Sequence, residues 1–332
     1  MPILAVETRR FALRETFTIS RGSRTHVTVV EARLTVDGMT GRGECVPYPR
    51  YDETPEGVTA AIEAMRGALD TGLDREALQE AMSAGAARNA LDLAFWDLEA
   101  KRAGKRVWEL PAYAALGGQP PAPVPSCYTL SIDTPDNMRA AAAKNAARPL
   151  LKIKLGAGPE DMDRMAAVRE GAPDARLVID ANEGWSTTDY EAHVPALQSL
   201  GVELIEQPVH ETDDAALAGI AHPVPLCADE SCNTRASLDR LEGRYEIVNI
   251  KLDKTGGLSE ALALKAEAEE RGFGVMVGCM MSSSLGVAPA VLVAGGARIA
   301  DLDPPMLLGE DRDPPLAVEA STVAPPEPAL WG

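Results

Sequence analysis

Four short segments decide the fold: Leu151–Leu155 (LKIKL), Leu177–Asn182 (LVIDAN), Val202–Gln207 (VELIEQ) and Leu226–Asp229 (LCAD). Each is a brief apolar run of strand length that carries or ends in a charged residue. Ala-, Glu-, Lys- and Arg-rich stretches of helical character separate most of them. Four more runs share the rhythm, at Ser126–Leu130, Ile247–Leu252, Val275–Gly278 and Ala300–Leu302, which makes eight. Eight strands alternating with helices favour a closed (β/α) barrel over an open doubly wound sheet. No GxGxxG follows a first strand and no GxxxxGK[ST] occurs; Thr255–Gly256–Gly257 fits neither.

Outside this rhythm the chain changes character. The segments near Ile3–Glu7, Thr25–Val36 and Gly41–Pro47 read as short antiparallel strands, with Asp37–Gly38 as a hairpin turn. Thr54–Pro55 reads as an N-cap and first turn. Ala86–Ala103 reads as a strong amphipathic helix with Trp96 in the core. Residues 1–118 therefore form an α+β unit, 119–303 the barrel, and 304–332 a proline-rich segment that packs back on the first unit.

The 332 residues carry 50 acids against 32 Lys plus Arg, a formal charge of −18. Such a surface disfavours nucleic acid and anionic membranes as partners. The five cysteines include no CxxC pair, so a reducing, cytoplasmic compartment is expected rather than a disulfide framework. No signal peptide is apparent. The uncharged window Val275–Val293 is interrupted by Ser282–Ser283–Ser284 and Pro289, and is not a membrane span.

The strand ends carry the chemistry. Asp180, Glu206 and Asp229 end consecutive strands, Lys154 and Lys251 lie on the second and sixth, and Asp301 and Asp303 follow the eighth. Active sites of such barrels lie at the C-terminal strand ends. Lys154 to Asp180 and Asp180 to Glu206 are 26 residues each, as one repeated unit per charge requires. Three carboxylates on adjacent strands form an all-oxygen site suited to Mg²⁺. Zinc would call for His or Cys, and His26, His193, His210 and His222 form no such cluster.

Strands two and six face each other across an eight-stranded mouth. Lys154 and Lys251 therefore flank a ligand from opposite sides, a pair suited to epimerisation or racemisation through an ene-diolate. Lys152 shares a strand face with Lys154, and its charge is expected to lower the pKa of Lys154. Asn182 and Glu230 are expected behind the metal carboxylates. Asp253 either positions Lys251 or is a solvated strand end. Cys279 and Met280 line the pocket or pack beside it, and Trp185 is a rim or helix contact. Ser283 has no GxSxG elbow and no partner histidine, which excludes serine hydrolysis.

At these residues the sequence resembles the enolase superfamily, in its muconate-lactonizing subgroup, over nearly the whole chain. The motifs are Lys152–Ile153–Lys154, Asp180–Ala181–Asn182, Glu206–Gln207–Pro208, Asp229–Glu230–Ser231 and Lys251–Leu252–Asp253. The resemblance implies a modified (β/α)7β TIM-like barrel with an α+β capping domain. It implies one Mg²⁺ per subunit on Asp180, Glu206 and Asp229, and Lys154 and Lys251 as the acid/base pair. Within the subgroup the chain is most similar to L-Ala-D/L-Glu dipeptide epimerases, through Thr18–Arg24 (TISRGSR), Gly43–Arg50 (GECVPYPR), Ala86–Leu91 (AARNAL) and Arg244–Gly257 (RYEIVNIKLDKTGG). That implies an isomerase acting on a dipeptide, in murein peptide recycling. Asp301 and Asp303 would take the ammonium group, and Thr129 would touch substrate. Arg24, or Arg21 three residues earlier, would meet the glutamate side chain from a mobile loop. Family members often assemble, so a homo-oligomer is expected without a set number. The rivals are an epimerase of other dipeptides, an N-acyl amino acid racemase, a cycloisomerase, and a non-catalytic barrel.

Overall fold

The structure is a computed structural model that describes residues 2–332. Eight parallel strands, β5 (Tyr128–Leu130), β6 (Leu150–Lys154), β7 (Arg176–Asp180), β8 (Val202–Glu206), β9 (Leu226–Ala228), β10 (Ile247–Ile250), β11 (Gly274–Gly278) and β12 (Ile299–Asp301), pair in chain order. The ring closes where Ser126 bridges Ala300 in parallel and Cys127 N donates to Ala300 O at 2.9 Å. The expected barrel is present, and a helix lies in each of the seven connections between its strands. No helix among the described residues is long and apolar enough to cross a membrane.

Strand period sets the contents of this barrel. Cys127, Leu150, Val178, Leu204, Cys227, Ile247, Met276 and Ile299 form one buried cluster, a residue from each strand or its lead-in. Two residues further along are Thr129, Lys152, Asp180, Glu206, Asp229, Asn249, Gly278 and Asp301. Side chains two apart share a face, so these form the next layer upward. Two further still lie Lys154, Asn182, Lys251, Met280 and Asp303. The apolar layer plugs the barrel, and the site rests on that plug.

The first unit is an antiparallel sheet, β1 (Ile3–Ile19), β2 (Gly22–Val36) and β3 (Met39–Cys45), packed on the helix Ala86–Ala103. Here the sequence reading needs correction. β1 runs for 17 residues rather than ending near Glu7. Only Leu4, Phe11 and Ile19 along it are buried, so no period-two apolar pattern marks it; pairing with β2 holds it through main-chain bonds. The stretch Thr18–Arg24 is consequently the tip of a hairpin that turns at Ser20–Arg21. The expected strand Ser126–Leu130 joins the ring, as a bridge at Ser126 and a regular strand from Tyr128. Just before it, β4 (Val124–Pro125) pairs with the tail strand β14 (Thr322–Val323), itself paired with β13 (Val318–Glu319).

The tail returns to the first unit. Leu308 bridges Leu13, Gly309 N donates to Ala12 O, and Trp331 Nε1 donates to Arg42 O. Arg312, almost wholly buried, joins three segments: it pairs with Glu31 at 2.6 Å and with Glu44, and its Nε donates to Ser283 Oγ at 2.8 Å. Burial would raise Glu31, but Arg33, Arg312 and Arg42 bring it down to about 2. Burial outweighs the same arginine at Glu44 and leaves that carboxyl raised.

Removing Arg312 leaves buried Glu44 without a cation and takes one of several from Glu31. Arg312→Ala is expected to lower unfolding free energy by about 3–5 kcal/mol, read by urea denaturation. An unchanged midpoint would contradict the role given to this contact.

Candidate active site

Asp180, Glu206 and Asp229 converge at the mouth. Their nearest carboxylate oxygens all lie within 4.8 Å of one another, and all three residues are buried. Burial alone would raise Asp180, but Lys154 and Lys152 hold it well below the usual carboxylate range. Burial pushes Glu206 up to about 7, and Asp180 adds to the effect. Burial would raise Asp229 too; Lys251 and Lys254 hold it far down.

The lysines thread this acidic cluster. Lys152 Nζ lies 2.6 Å from Glu206 Oε2, 2.6 Å from Asp301 Oδ2 and 3.1 Å from Asp180 Oδ2. Burial would lower its ammonium, yet Asp301, Glu206 and Asp180 raise it well above the ordinary value. Three carboxylates thus take up the charge that the sequence reading directed at Lys154. Lys154 Nζ donates to Asp180 Oδ2 at 2.6 Å and to Asn182 Oδ1 at 3.1 Å. Lys251 Nζ donates to Asp229 Oδ2 at 2.6 Å; burial opposes its charge, while Asp229 and Glu206 raise it. Gly278 belongs to the same layer because a Cβ there would stand 2.8 Å from Asn249 Oδ1 and 3.1 Å from Lys251 Cε.

Three supporting residues escaped the sequence reading. Lys254, buried, donates to Asp229 Oδ1 at 2.7 Å and to Asn249 O at 3.0 Å. Asn249 Nδ2 donates to Glu206 Oε1 at 2.7 Å. Gln207 Oε1 accepts from Asp229 N at 2.9 Å, while its Nε2 donates to Ser231 Oγ and Tyr245 OH. Lys254 stands one helical turn after Lys251, and Asn249 one strand period before it. Those spacings were the available signals.

A small cavity lies above the cluster. Phe17, Ile19, Arg24, Tyr48 and Tyr51 line it from the first unit, and Thr129, Lys152, Lys154, Lys251, Asp301 and Asp303 from the barrel. Cys279 and Met280 line it as well. Asp303 Oδ2 accepts Thr129 N at 2.7 Å, and burial pushes this carboxyl up to about 7, with Asp301 adding to the shift. Burial would raise Asp301 too, but Lys152 and Lys154 leave it lowered. The two loop arginines part ways. Arg21 reaches Glu230 Oε1 at 2.7 Å and Asn182 O at 2.9 Å. Arg24 lies over the Tyr48 ring at 5.5 Å, with no ion-pair partner among the described residues. Trp185 is buried, and its Nε1 donates to Asp161 Oδ2 at the head of the preceding barrel helix, Asp161–Gly171.

Asp253 is not a solvated strand end. β10 stops at Ile250, and Lys251 caps a short helix, Leu252–Thr255. Asp253 is half-buried against the first unit, its Oδ1 accepting from Val46 N and Asn89 Nδ2, both at 2.9 Å. Burial pushes its carboxyl up to about 7, and Glu53 and Glu44 push the same way.

The donor set fits a divalent cation. All three groups are carboxylates, and Glu206 Oε2 is buried with no aligned hydrogen bond, 2.6 Å from the Lys152 ammonium. Hard oxygen donors of this kind suit Mg²⁺.

The fold and site together define a capped-barrel enzyme with a cluster of buried carboxylates and lysines at the barrel mouth. The chain belongs to the enolase superfamily. Residues 4–111 match the mandelate racemase / muconate lactonizing enzyme N-terminal domain, and residues 137–328 the enolase C-terminal domain-like family. The chain is 46% identical over 306 residues to the L-Ala-D/L-Glu epimerase of Escherichia coli K12, covering 92% of this chain and 94% of that one. It is 42% identical to the N-acetyl-D-glutamate racemase of a Pseudoalteromonas species, over 88% of this chain and 91% of that one. A crystal structure of an enolase family member from Agrobacterium tumefaciens with homology to dipeptide epimerases holds sodium and L-Ala-L-Glu with an ordered loop. It matches with TM-score 0.96 and 54% identity over the whole of both chains. A dipeptide epimerase of Enterococcus faecalis V583, complexed with Mg and L-Leu-L-Tyr, matches with TM-score 0.87 and 30% identity over 98% of this chain and 96% of that one.

A folded pKa of about 7 at Asp253, against about 4 in an unfolded chain, means the folded state holds the proton more tightly. Stability from this group therefore falls as pH rises between those values and stays low above them. Asp253→Asn removes the charge, so its gain in melting temperature over the parent should be larger at pH 8 than at pH 5. An equal gain at both would contradict the assignment.

Proposed function

We propose that the protein is a Mg²⁺-dependent dipeptide epimerase interconverting L-Ala-L-Glu and L-Ala-D-Glu at the glutamate α-carbon. One observation carries this reading: a buried carboxylate triad lies between Lys154 and Lys251, and Asp301 and Asp303 face the same cavity. The similarity to relatives that epimerise or hold such dipeptides supports it.

Asp180, Glu206 and Asp229 would hold the metal. Bound Mg²⁺ supplies positive charge at the substrate carboxylate, where negative charge grows as the α-proton leaves. Lys152, whose ammonium lies among Asp180, Glu206 and Asp301, would add positive charge beside the same carboxylate. Lys154 and Lys251 come from strands four apart in a ring of eight, on opposite sides of the α-carbon. One, as the free amine, takes the proton from its face; the other, as the ammonium, delivers one to the opposite face. Asn182 orients Lys154, and Glu230 holds Arg21. Asp301 and Asp303 accept the dipeptide's ammonium, beside Thr129. Arg24 is left to meet the γ-carboxylate in a bidentate fork, since Arg21 is already engaged. Cys279 and Met280 pack against the substrate.

The N-acetyl-D-glutamate racemase relative keeps an acylated substrate in view. An acylated amine has no ammonium to offer these acids; Asp301 already holds Lys152, but Asp303 is buried with no ion-pair partner among the described residues, and leaving it so is costly. The dipeptide is therefore the better fit. The reading extends to murein peptide recycling in the cytoplasm, which five free cysteines suit, and to a homo-oligomer on the family resemblance.

The test is α-proton exchange in D₂O with Mg²⁺ present, followed by NMR. L-Ala-L-Glu should exchange and epimerise, and N-acetyl-L-Glu should do so far more slowly. Exchange with hydrophobic dipeptides alone would overturn the side-chain assignment, and Arg24→Met should raise KM for L-Ala-L-Glu at least tenfold, or about 1.4 kcal/mol. Lys154→Ala and Lys251→Ala should each abolish net epimerisation, while each still exchanges one stereoisomer, and opposite ones. Full activity in both variants would refute the two-base mechanism.

A further inference from the structure

Among the segments where the first unit grips the barrel, one begins at Lys251. Four side chains on one face of the helix Ala86–Ala103 do the holding. Arg88 donates to Thr255 O at 2.6 Å and Gly256 O at 3.1 Å, the carbonyls that end the short helix Leu252–Thr255. Asn89 donates to Asp253 Oδ1 at 2.9 Å. Asp92 accepts from Ser259 Oγ at 2.6 Å and Ser259 N at 3.1 Å, in the first turn of the helix Leu258–Glu270. Trp96 Nε1 donates to the same hydroxyl at 3.0 Å. Gly256 and Gly257 both take positive φ, and a Cβ on either would strike Arg88 or Asp92. The approach is closed to any other residue pair.

Charge favours the contacts. A guanidinium at a helix C-terminus and a carboxylate at a helix N-terminus both complement the helix dipole. Arg88, Asn89 and Asp92 are buried, and Asp253 is half-buried. None of them lines the cavity over the metal triad.

Lys154 has no such clamp. It lies within β6, whose pairing with β7 sets its backbone, Lys154 opposite Asp180. The first unit reaches its side at the loop after β7, through Ser20 and Arg21 to the main-chain oxygen of Asn182 and through Arg50, bidentate, to Glu183; among the described residues none of its side chains bonds to β6 itself. One lysine is thus placed by the barrel itself, and the other by the junction between domains.

We propose that Asn89 and Asp253, braced by Arg88 and Asp92, form an interdomain clamp that positions Lys251, so that the capping domain controls proton transfer on one face of the substrate and not the other. Asn89 and Asp253 are positioning residues and touch no substrate. The inference rests on the two-lysine reading above and adds an asymmetry to it. A shift of the loop by a fraction of an ångström displaces the Lys251 amine from the α-proton and leaves Lys154 in register.

The experiment follows α-proton exchange of L-Ala-L-Glu and L-Ala-D-Glu separately in D₂O at saturating Mg²⁺. The stereoisomer served by Lys251 is the one that still exchanges in Lys154→Ala. Asn89→Ala and Asp253→Ala should slow exchange of that isomer about tenfold or more, and of the other by less than about twofold. Asp253→Asn keeps the accepting oxygen and should restore the parent ratio. The quantity read is the ratio between isomers, which a general loss of folded protein does not move. If Asn89→Ala does not fold, the Asp253→Ala and Asp253→Asn pair carries the same comparison. Equal slowing of both isomers, or no slowing of either, would overturn the clamp with the two-lysine mechanism intact. Absence of exchange from both isomers in the parent protein would instead remove that mechanism and the clamp with it.

Discussion

Everything at the barrel mouth depends on burying like charges side by side. Asp180, Glu206 and Asp229 lie within 4.8 Å of one another, out of water. Ionised carboxylates at that spacing repel strongly in a medium of low dielectric. The cluster is tenable because Lys152, Lys154, Lys251 and Lys254 are set into it, each within 2.7 Å of an acid. Glu206, whose carboxyl is raised to about 7, is the member least compensated. A divalent cation at this point would supply the charge the cluster lacks.

That arrangement requires a rigid support, and strand register provides it. The apolar plug beneath the cluster fixes the height of every residue above it. A slip of one residue in any strand would turn its acid or lysine out of the barrel. The first unit and the tail then close the mouth from above. Their own buried ion pairs, centred on Arg312, Glu31 and Glu44, tie three distant stretches of chain together. Ser283 in that network lies three residues beyond Met280, so the same contact steadies one wall of the cavity.

The motifs that matched the family divide into two kinds once placed in space. Lys152–Lys154, Asp180, Glu206 and Asp229 face the site. The AARNAL and KLDKTGG stretches instead hold each other: Arg88 and Asn89 from one bond to Asp253, Thr255 and Gly256 of the other. In sequence both kinds look alike, as polar residues in fixed strings. The helix Ala86–Ala103 was legible from its apolar periodicity, but nothing in that periodicity told that its polar face was a docking surface rather than a solvated one. β1 was illegible for a related reason, because an exposed strand held by main-chain bonds leaves little mark on side-chain pattern.

By itself the sequence determined the barrel, the carboxylate triad and the two lysines, since strand period and repeat length are local properties and each strand end announces its own charge. Tertiary structure alone decided how those charges share one another. It gave Lys152 to three carboxylates, brought Lys254 under Asp229, engaged Arg21 with Glu230 while leaving Arg24 over the cavity, and took Asp253 from the barrel rim into the domain junction. These outcomes depend on which side chains meet across strands and domains far apart in the chain. Only the closed ring and its cap bring them within hydrogen-bonding distance.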